Sequence, residues 1–251
     1  MSALARPPIT GRLPWLRRLV AVGWLVAVAA APLFLISSNV VWAFGAPGLY
    51  TYGFQKYRIS QEMLMPSEEL ERIAAGLRAY WTSDADHLNV TYAGRPFFNQ
   101  REIVHLRDVK AIVQGVDALR WTTLGVLLAW VAMTAVLLKV ASTREFARAA
   151  AWGGGLTLGI VAFCGVVFLF AFDQAFLLFH RLSFANDFWQ LTCPGDNLVC
   201  LFPQGFWFDA TMFIVVATVV EAALLLVGGL AALRVLRRVQ FLRPGAVPGS
   251  R

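Results

Sequence analysis

His105 is the first residue of the chain whose surroundings suggest chemistry. It lies in the segment REIVHLRDV, with Glu102 three residues before it and Asp108 three residues after it. Residues three apart are neighbours on a helix surface, so either carboxylate could orient the ring and raise the basicity of its other nitrogen. The alternative is a solvated charged helix face that happens to contain a histidine. We therefore treat His105 as a candidate general base with Glu102 or Asp108 as its support.

His180 opens a second polar segment, HRLSFANDFWQLTCPGDNLVCLFPQGFWFD, which lies between two long apolar runs. Imidazole can take up and release protons near neutral pH, so two such groups could share proton transfer. Asn186 and Asp187 are candidates for polar support. An anchoring role at a membrane boundary is the alternative for His180, and His87 is expected to lie on the surface.

The same segment is rich in aromatic residues that could surround a reacting group. Aromatic side chains also gather at membrane interfaces for anchoring alone. The residues predicted to form an apolar wall are Phe184, Phe188, Trp189, Phe206 and Trp207.

The composition indicates the elements that must position these side chains. With 58% hydrophobic residues, 15% charged residues and a mean hydropathy of +0.62, an ordinary soluble domain is excluded. Apolar runs of about 20 residues cross the hydrocarbon core as helices. The sequence therefore predicts an all-α membrane protein with four transmembrane helices and a small, mainly helical extracytoplasmic cap. The predicted spans are Leu19–Phe44, Leu119–Val140, Trp152–Phe172 and Ala210–Leu233.

The basic residues predict the orientation of these spans. Twelve of the 22 Lys and Arg residues, counting Lys139 at the end of the second span, lie in or beside three segments that hold a single acid, Glu145, and short segments rich in Lys and Arg stay cytoplasmic. This excess, rather than nucleic-acid binding, accounts for the net charge of +7. The first span is expected to be retained rather than cleaved as a signal peptide. The predicted cytoplasmic segments are Met1–Arg18, Ala141–Ala151 and Arg234–Arg251, and the predicted outer segments are Gly45–Ala118 and Asp173–Asp209.

Local patterns predict the elements of the first outer segment. Tyr50–Ile59 has extended character, and Ser67 is expected to cap an amphipathic helix. Leu88–Tyr92 alternates like a short strand before a turn at Ala93–Pro96. Asn99 and Glu102 have the spacing of a capping box, which would open a helix that carries His105 onward into the second span.

Cys193 and Cys200 lack the two-residue spacing of a dithiol oxidoreductase. Both lie in a predicted outer loop, where thiols oxidise, so a structural disulfide between them is expected. A zinc site would need more ligands than these residues provide.

These motifs together resemble the lipoprotein intramolecular transacylase family, Lit. The similarity rests on REIVHLRDVK, two spans, FHRLSFANDFWQ, then LFPQGFWFD and a last span. It implies four transmembrane helices under an extracytoplasmic cap in the bacterial cytoplasmic membrane, with His105 and His180 as the catalytic pair. Cys193 is a departure, because an Asp is expected before the proline.

The resemblance also implies a reaction. Family members move the sn-2 acyl chain of a diacylglyceryl group onto the α-amino group of a lipoprotein's N-terminal cysteine, which gives a lyso-form lipoprotein. The implied partners are diacylglyceryl-modified lipoproteins and membrane lipids, and no metal or other cofactor is required.

Two interpretations from other classes remain open at this point. A non-catalytic four-helix scaffold or chaperone would keep the histidines apart. Bis-histidine haem ligation would place them within the spans, whereas both lie outside the predicted ones.

Overall fold

The computed structural model describes residues 14–241, which are mainly helical. The basic residues Arg6, Arg12, Arg243 and Arg251, used above for the orientation, lie outside the described residues. The helices and strands, in chain order, are α1 (Pro14–Gly45), α2 (Pro47–Lys56), α3 (Ile59–Glu62), α4 (Ser67–Thr82), β1 (Thr91–Tyr92), β2 (Arg95–Pro96), α5 (Gln100–Leu138), α6 (Ser142–Ser183), α7 (Asn197–Leu201) and α8 (Gln204–Phe241).

Three helical stretches of the described chain are long and apolar enough to cross a membrane. They are Arg18–Gly45, Gln100–Val166 and Gln204–Val239. The second stretch contains all of α5 and the first part of α6, joined by a 3-10 turn at Lys139–Ala141. These apolar helices are those of a membrane protein, and the four predicted spans and their boundaries stay predictions.

One compact unit comprises residues 36–119 and 162–217. Its hydrophobic core includes one face of α4, where Leu70, Ile73 and Leu77 are almost completely inaccessible. This is the helix face that the 3.6-residue period predicts. Tyr50 and Phe54, one turn apart on α2, contribute to the same core.

The other unit comprises, among the described residues, 14–35, 120–161 and 218–241. Its helices approach closely at glycines. A Cβ at Gly154 would lie 2.5 Å from the carbonyl oxygen of Ala222, and one at Gly229 would lie 2.6 Å from that of Ala147. Only glycine allows α6 and α8 this approach, which is typical of helices in membranes.

The predicted start of α5 is confirmed. Asn99 N–H donates to Glu102 Oε2 at 2.6 Å, and Glu102 N–H donates to Asn99 Oδ1 at 3.1 Å. Both halves of a capping box are thus present, and the helix runs from Gln100 to Leu138 without a proline to end it.

Two local predictions are wrong. Tyr50–Ile59 is not extended, because α2 is a helix whose buried face places Tyr50 and Phe54 together. Ser67 is the first helical residue of α4 rather than its cap, and Pro66 occupies the cap position without a side-chain hydrogen bond.

The predicted strand is shorter than expected. Only Thr91 and Tyr92 pair, with Pro96 and Arg95 respectively, in an antiparallel hairpin. Ala93 and Gly94 form its turn with φ values of 48° and 76°.

Candidate active site

His105 and His180 lie next to each other in the structure. His105 is in the second turn of α5, and His180 is in the last turn of α6. Their ring centroids are 6.0 Å apart, with 30° between the ring planes. Both are buried, at 7% and 9% exposure. The two imidazoles, expected to act as a pair, therefore lie together, although 75 residues separate them in sequence.

Aromatic side chains surround both imidazoles. Phe184 contacts the two rings, with centroid distances of 4.9 Å to His105 and 5.4 Å to His180. Trp189 lies 5.3 Å from His180. Two of the predicted aromatic residues thus contact the histidine pair directly.

Two further aromatic contacts of His180 were missed from the sequence. Phe176 lies 4.3 Å from its ring, one helical turn earlier, and Phe179 lies 5.3 Å from it. The spacing of Phe176 and His180, four residues apart at the end of a long helix, was the available signal.

The hydrogen bonding of His180 defines its tautomer. Nδ1 lies 2.8 Å from the carbonyl oxygen of Phe176. A carbonyl can only accept, so Nδ1 must carry a proton. In the neutral ring, Nε2 then has a free lone pair and can act as a base. His105 differs, because its buried Nδ1 has no hydrogen-bond partner within residues 14–241.

Burial favours the neutral form of both imidazoles. His105 and His180 both lie outside the four membrane spans predicted from the sequence. The pKa of His105 is lowered to about 4, mainly by burial and then by the neighbouring His180, against an opposing effect of Asp108. Burial also lowers the pKa of His180, although its bond to Phe176 favours the protonated ring. Two neutral imidazoles can provide one proton acceptor and one hydrogen-bond donor.

Glu102 does not hydrogen-bond the His105 ring, so the expected direct support of the imidazole by this carboxylate is wrong. Its Oε2 accepts the backbone N–H of Asn99, and its Oε1 accepts that of Leu198 at 2.5 Å. The carboxylate is completely buried. Asp108 accepts a hydrogen bond from Asn186 Nδ2 at 2.8 Å, which makes Asn186 a partner of α5 rather than of a histidine.

The remaining predicted site residues lie elsewhere. Asp187 accepts a bond from Gln190 at 3.0 Å, and Phe188 is 40% exposed. Phe206 is buried in the core of its unit, where its ring contacts Tyr50 and Phe202. The ring contacts of Trp207 are with Phe44, Phe202 and Phe206. These two aromatics therefore support the fold rather than contact the imidazoles.

The two loop cysteines form a disulfide. The Cα atoms of Cys193 and Cys200 are 5.2 Å apart, and the bond closes the turn that contains Pro194. Cys164 on α6 is free and exposed.

A comparison with protein families decides what kind of protein carries this site. A sequence model described as "lipoprotein intramolecular transacylase Lit" matches residues 25–207, which include both histidines. The chain belongs to the Lit family. The family takes its name from a transacylase activity, and the apolar helices of this chain are those of a membrane protein.

Solved structures share the fold of this Lit protein. The in meso structure of the membrane-integral lipoprotein intramolecular transacylase Lit from Bacillus cereus matches with a TM-score of 0.78 and 18% identity. The match covers 88% of this chain and 99% of that one. A variant of the Bacillus cereus protein in which a histidine is replaced by arginine matches with a TM-score of 0.75 and 17% identity, over 92% and 99% of the two chains.

An uncharacterized protein of Aquifex aeolicus (strain VF5) is 26% identical over 145 residues. The alignment covers 57% of the Lit chain and 62% of the relative, so the chain spans less than two thirds of that protein's length.

A cleft of about 510 Å³ lies beside the site of this Lit protein, two helical turns before His180 on α6, and neither histidine lines it. Its walls combine aromatic and polar side chains from α6 and the start of α8, among them Phe172, Asp173, Gln204 and Phe208. Within residues 14–241, no group of three or more His, Cys, Asp or Glu side chains is placed to hold a metal ion.

Proposed function

We propose that this Lit protein moves the sn-2 acyl chain of a diacylglyceryl group to the α-amino group of the N-terminal cysteine of a bacterial lipoprotein, which leaves a lyso-form lipoprotein. The observation that carries the proposal is the pair of buried imidazoles with centroids 6.0 Å apart. Acyl transfer from an ester to an amine needs a proton acceptor and a group that stabilises an oxyanion. The pair can provide both.

His180 is the base in this mechanism. Its Nδ1 proton is directed at the Phe176 carbonyl, so the Nε2 lone pair is left to take a proton from the attacking amine. As the N–C bond forms and the ester C–O bond breaks, Nε2 returns the same proton to the departing glyceryl oxygen. The reaction therefore needs no external acid, base or water.

His105 is the hydrogen-bond donor to the oxyanion. A neutral imidazole retains one N–H, and the low pKa of His105 keeps the ring neutral while it donates. Its Nδ1 has no partner within the described chain, and a buried polar atom gains most from a ligand that satisfies it. The tetrahedral intermediate supplies such an acceptor.

Phe184 and Trp189 are the substrate-contacting aromatics in this proposal. Phe184 is 8% exposed and contacts both imidazoles, so an ester carbonyl within reach of both rings would lie close to it. The amine and the ester belong to one lipoprotein molecule. The principal task of the site is therefore to hold them in reacting geometry, which can contribute about 7–11 kcal/mol to lowering a barrier.

We propose four spans for the membrane part. The helical stretch Gln100–Val166 has 67 residues, about 100 Å of helix at 1.5 Å per residue, against a hydrocarbon core of about 30 Å. A 3-10 turn interrupts it at Lys139, which has a positive φ of 50°. Arg144 and Arg148 follow this turn, which supports a cytoplasmic reversal between two spans.

The same charge pattern supports cytoplasmic termini and a catalytic site on the extracytoplasmic side. The segments that bear His105 and His180 are those with more acidic than basic residues. Membrane lipids would surround the spans, and lipoproteins anchored in the same bilayer would reach the site from it.

The test is conversion of a synthetic lipopeptide by purified protein in lipid nanodiscs. The lipopeptide carries a deuterated sn-2 chain and an unlabelled sn-1 chain on its N-terminal diacylglyceryl cysteine. Tandem mass spectrometry should locate the deuterated chain on the α-nitrogen, with no change in total mass. Absence of migration across a panel of diacyl lipopeptides would favour a non-catalytic scaffold.

A further inference from the structure

The loop closed by the Cys193–Cys200 disulfide contacts the start of α5. Asp196, within this loop, is 5% exposed and uses both carboxylate oxygens. One accepts Asn99 Nδ2 at 2.8 Å, and the other accepts the Thr192 backbone N–H at 2.8 Å. The disulfide-closed loop is therefore joined through its buried acid to the residue that caps α5.

Glu102 provides a second connection between the same two segments. Its carboxylate accepts one backbone N–H from the helix start, at Asn99, and one from the disulfide-closed loop, at Leu198. A buried carboxylate is unfavourable unless it is hydrogen-bonded, so Glu102 favours the arrangement in which both donors are in place. His105 follows three residues later on the same helix face.

A third connection lies on the other side of His105. Asp108 accepts Asn186 Nδ2 at 2.8 Å, and Asn186 is two residues beyond Phe184, which contacts both imidazoles. His105 is thus bracketed, one turn before and one turn after, by links to the segment that follows His180.

We infer that Glu102 and Asp108 are positioning residues for the histidine pair, and that the Cys193–Cys200 disulfide holds the loop that Glu102 needs. The inference rests on the proposed function, because the pair is taken as the reacting site. The acids act on the backbone and on Asn186, and they set the place of the His105 ring without touching it.

The experiment uses the full chain in lipid nanodiscs and the deuterated diacyl lipopeptide. The test variants are Glu102→Gln, Asp108→Asn and Cys193→Ser/Cys200→Ser. The matched controls are Glu62→Gln, an exposed acid on α3, and Cys164→Ser, the free cysteine of α6. We expect kcat to fall about 10- to 100-fold in the test variants, as for small misplacements of reacting groups. KM should stay within about twofold of that of the parent, and both controls should match the parent.

A second measurement reports position without relying on activity. Protein labelled with ¹³C-histidine has only three imidazoles, so each ring can be followed by NMR. The resonances of His105 and His180 should shift in the test variants and stay in place in the controls. A loss confined to melting temperature, with kcat and the imidazole resonances unchanged, would overturn the inference.

Reduction of the parent protein covers the case in which a variant does not fold. Dithiothreitol converts the disulfide to two thiols and is itself oxidised to its cyclic disulfide. Alkylation should then count three thiols in place of one. We expect kcat to fall toward that of the double serine variant, which should itself be insensitive to the reductant. Unchanged kcat with three alkylated thiols would contradict a positioning role for the disulfide.

The two proposals fail separately. If the parent protein transfers no acyl chain, the proposed function fails, and the imidazole resonances still test positioning. If transfer occurs but neither kcat nor the resonances respond, positioning fails and the proposed function stands.

Discussion

His180 Nδ1 lies 2.8 Å from the carbonyl oxygen of Phe176, one turn earlier on α6. This bond places the proton on Nδ1 and leaves Nε2 as the basic nitrogen. The helix that carries His180 therefore also fixes its tautomer.

His105 is expected to be neutral at pH 6.5 and above, and His180 to bind a proton less readily than an ordinary histidine. Burial lowers the pKa of each, that of His105 to about 4. Titration of ¹³C,¹⁵N-histidine-labelled protein by NMR should show the His105 ring becoming protonated only near that value, and the His180 ring below its ordinary value of about 6.5. His180 should show the Nδ1–H tautomer throughout the neutral range.

The same shifts set the sign of a stability change. A histidine whose pKa is lower in the folded state destabilises the fold as pH falls from about 6.5, because the unfolded chain binds the proton first. Urea unfolding should show this loss between pH 6.5 and 4, and a His105→Asn variant should show less of it. An imidazolium at His105 at pH 6.5 would contradict the assignment.

Replacement of either histidine should remove most of the transacylation. His105→Ala and His180→Ala are each expected to reduce kcat about 100- to 10,000-fold, the usual contribution of a general acid or base. The double variant should not show the product of the two losses, because the two groups act on one transition state. His87→Ala, with melting measured for every variant, is the control.

Asparagine substitutions separate the two roles. An amide can donate a hydrogen bond but cannot take a proton at neutral pH. We expect His105→Asn to retain more activity than His105→Ala, whereas His180→Asn should be as impaired as His180→Ala. The reverse order in steady-state kinetics would exchange the assignments of donor and base.

Phe184 is expected to matter more than its neighbour Phe188. Phe184→Leu should lower kcat about 10-fold or more, because the ring that separates the two imidazoles from their surroundings is lost. Phe188→Leu should have a smaller effect, since that side chain is 40% exposed. Equal losses of kcat in the two variants, measured with the same lipopeptide, would contradict a role for Phe184 in the site.

Gly53 provides a test of the core beside the site. A Cβ at Gly53 would overlap Cδ2 of the buried Phe206, so Gly53→Ala should destabilise the fold by about 1–3 kcal/mol. Gly48→Ala in the same helix meets no atom within 4 Å and is the matched control. Thermal melting in nanodiscs should separate the two variants, and equal melting temperatures would argue against the contact.

The parts of this fold that depend on neighbouring residues were predictable. The capping box at Asn99 and Glu102 and the buried face of α4 are set by spacings of three and four residues, which the sequence displays directly. The prediction of extended structure for Tyr50–Ile59 failed because aromatic residues at alternating positions suit a strand as well as a helix. The helix is favoured because it buries Tyr50 and Phe54 on one face. The sequence of this segment alone does not show that burial.

The site was predictable only in part, because its contacts span long distances in sequence. The two histidine motifs could be paired through the family resemblance, whereas the donor to Glu102 Oε1, Leu198, lies 96 residues away. Glu102 has the sequence spacing of a partner for His105, and a backbone N–H from a distant loop competes for the same oxygen. No pattern in the sequence around Glu102 predicts this hydrogen bond from Leu198.

The low exposure of the two imidazoles also bears on what the reaction leaves behind. A water molecule that reached the ester would release a free fatty acid, and the lipoprotein would lose an anchor. The His105 and His180 rings, which contact Phe184, are only 7% and 9% exposed, so water has little access to them. An N-acetylated lipopeptide, which lacks the nucleophile, should therefore remain largely uncleaved. The proposed rearrangement, without hydrolysis, would preserve the number of acyl chains, so its product would stay as firmly in the bilayer as the substrate.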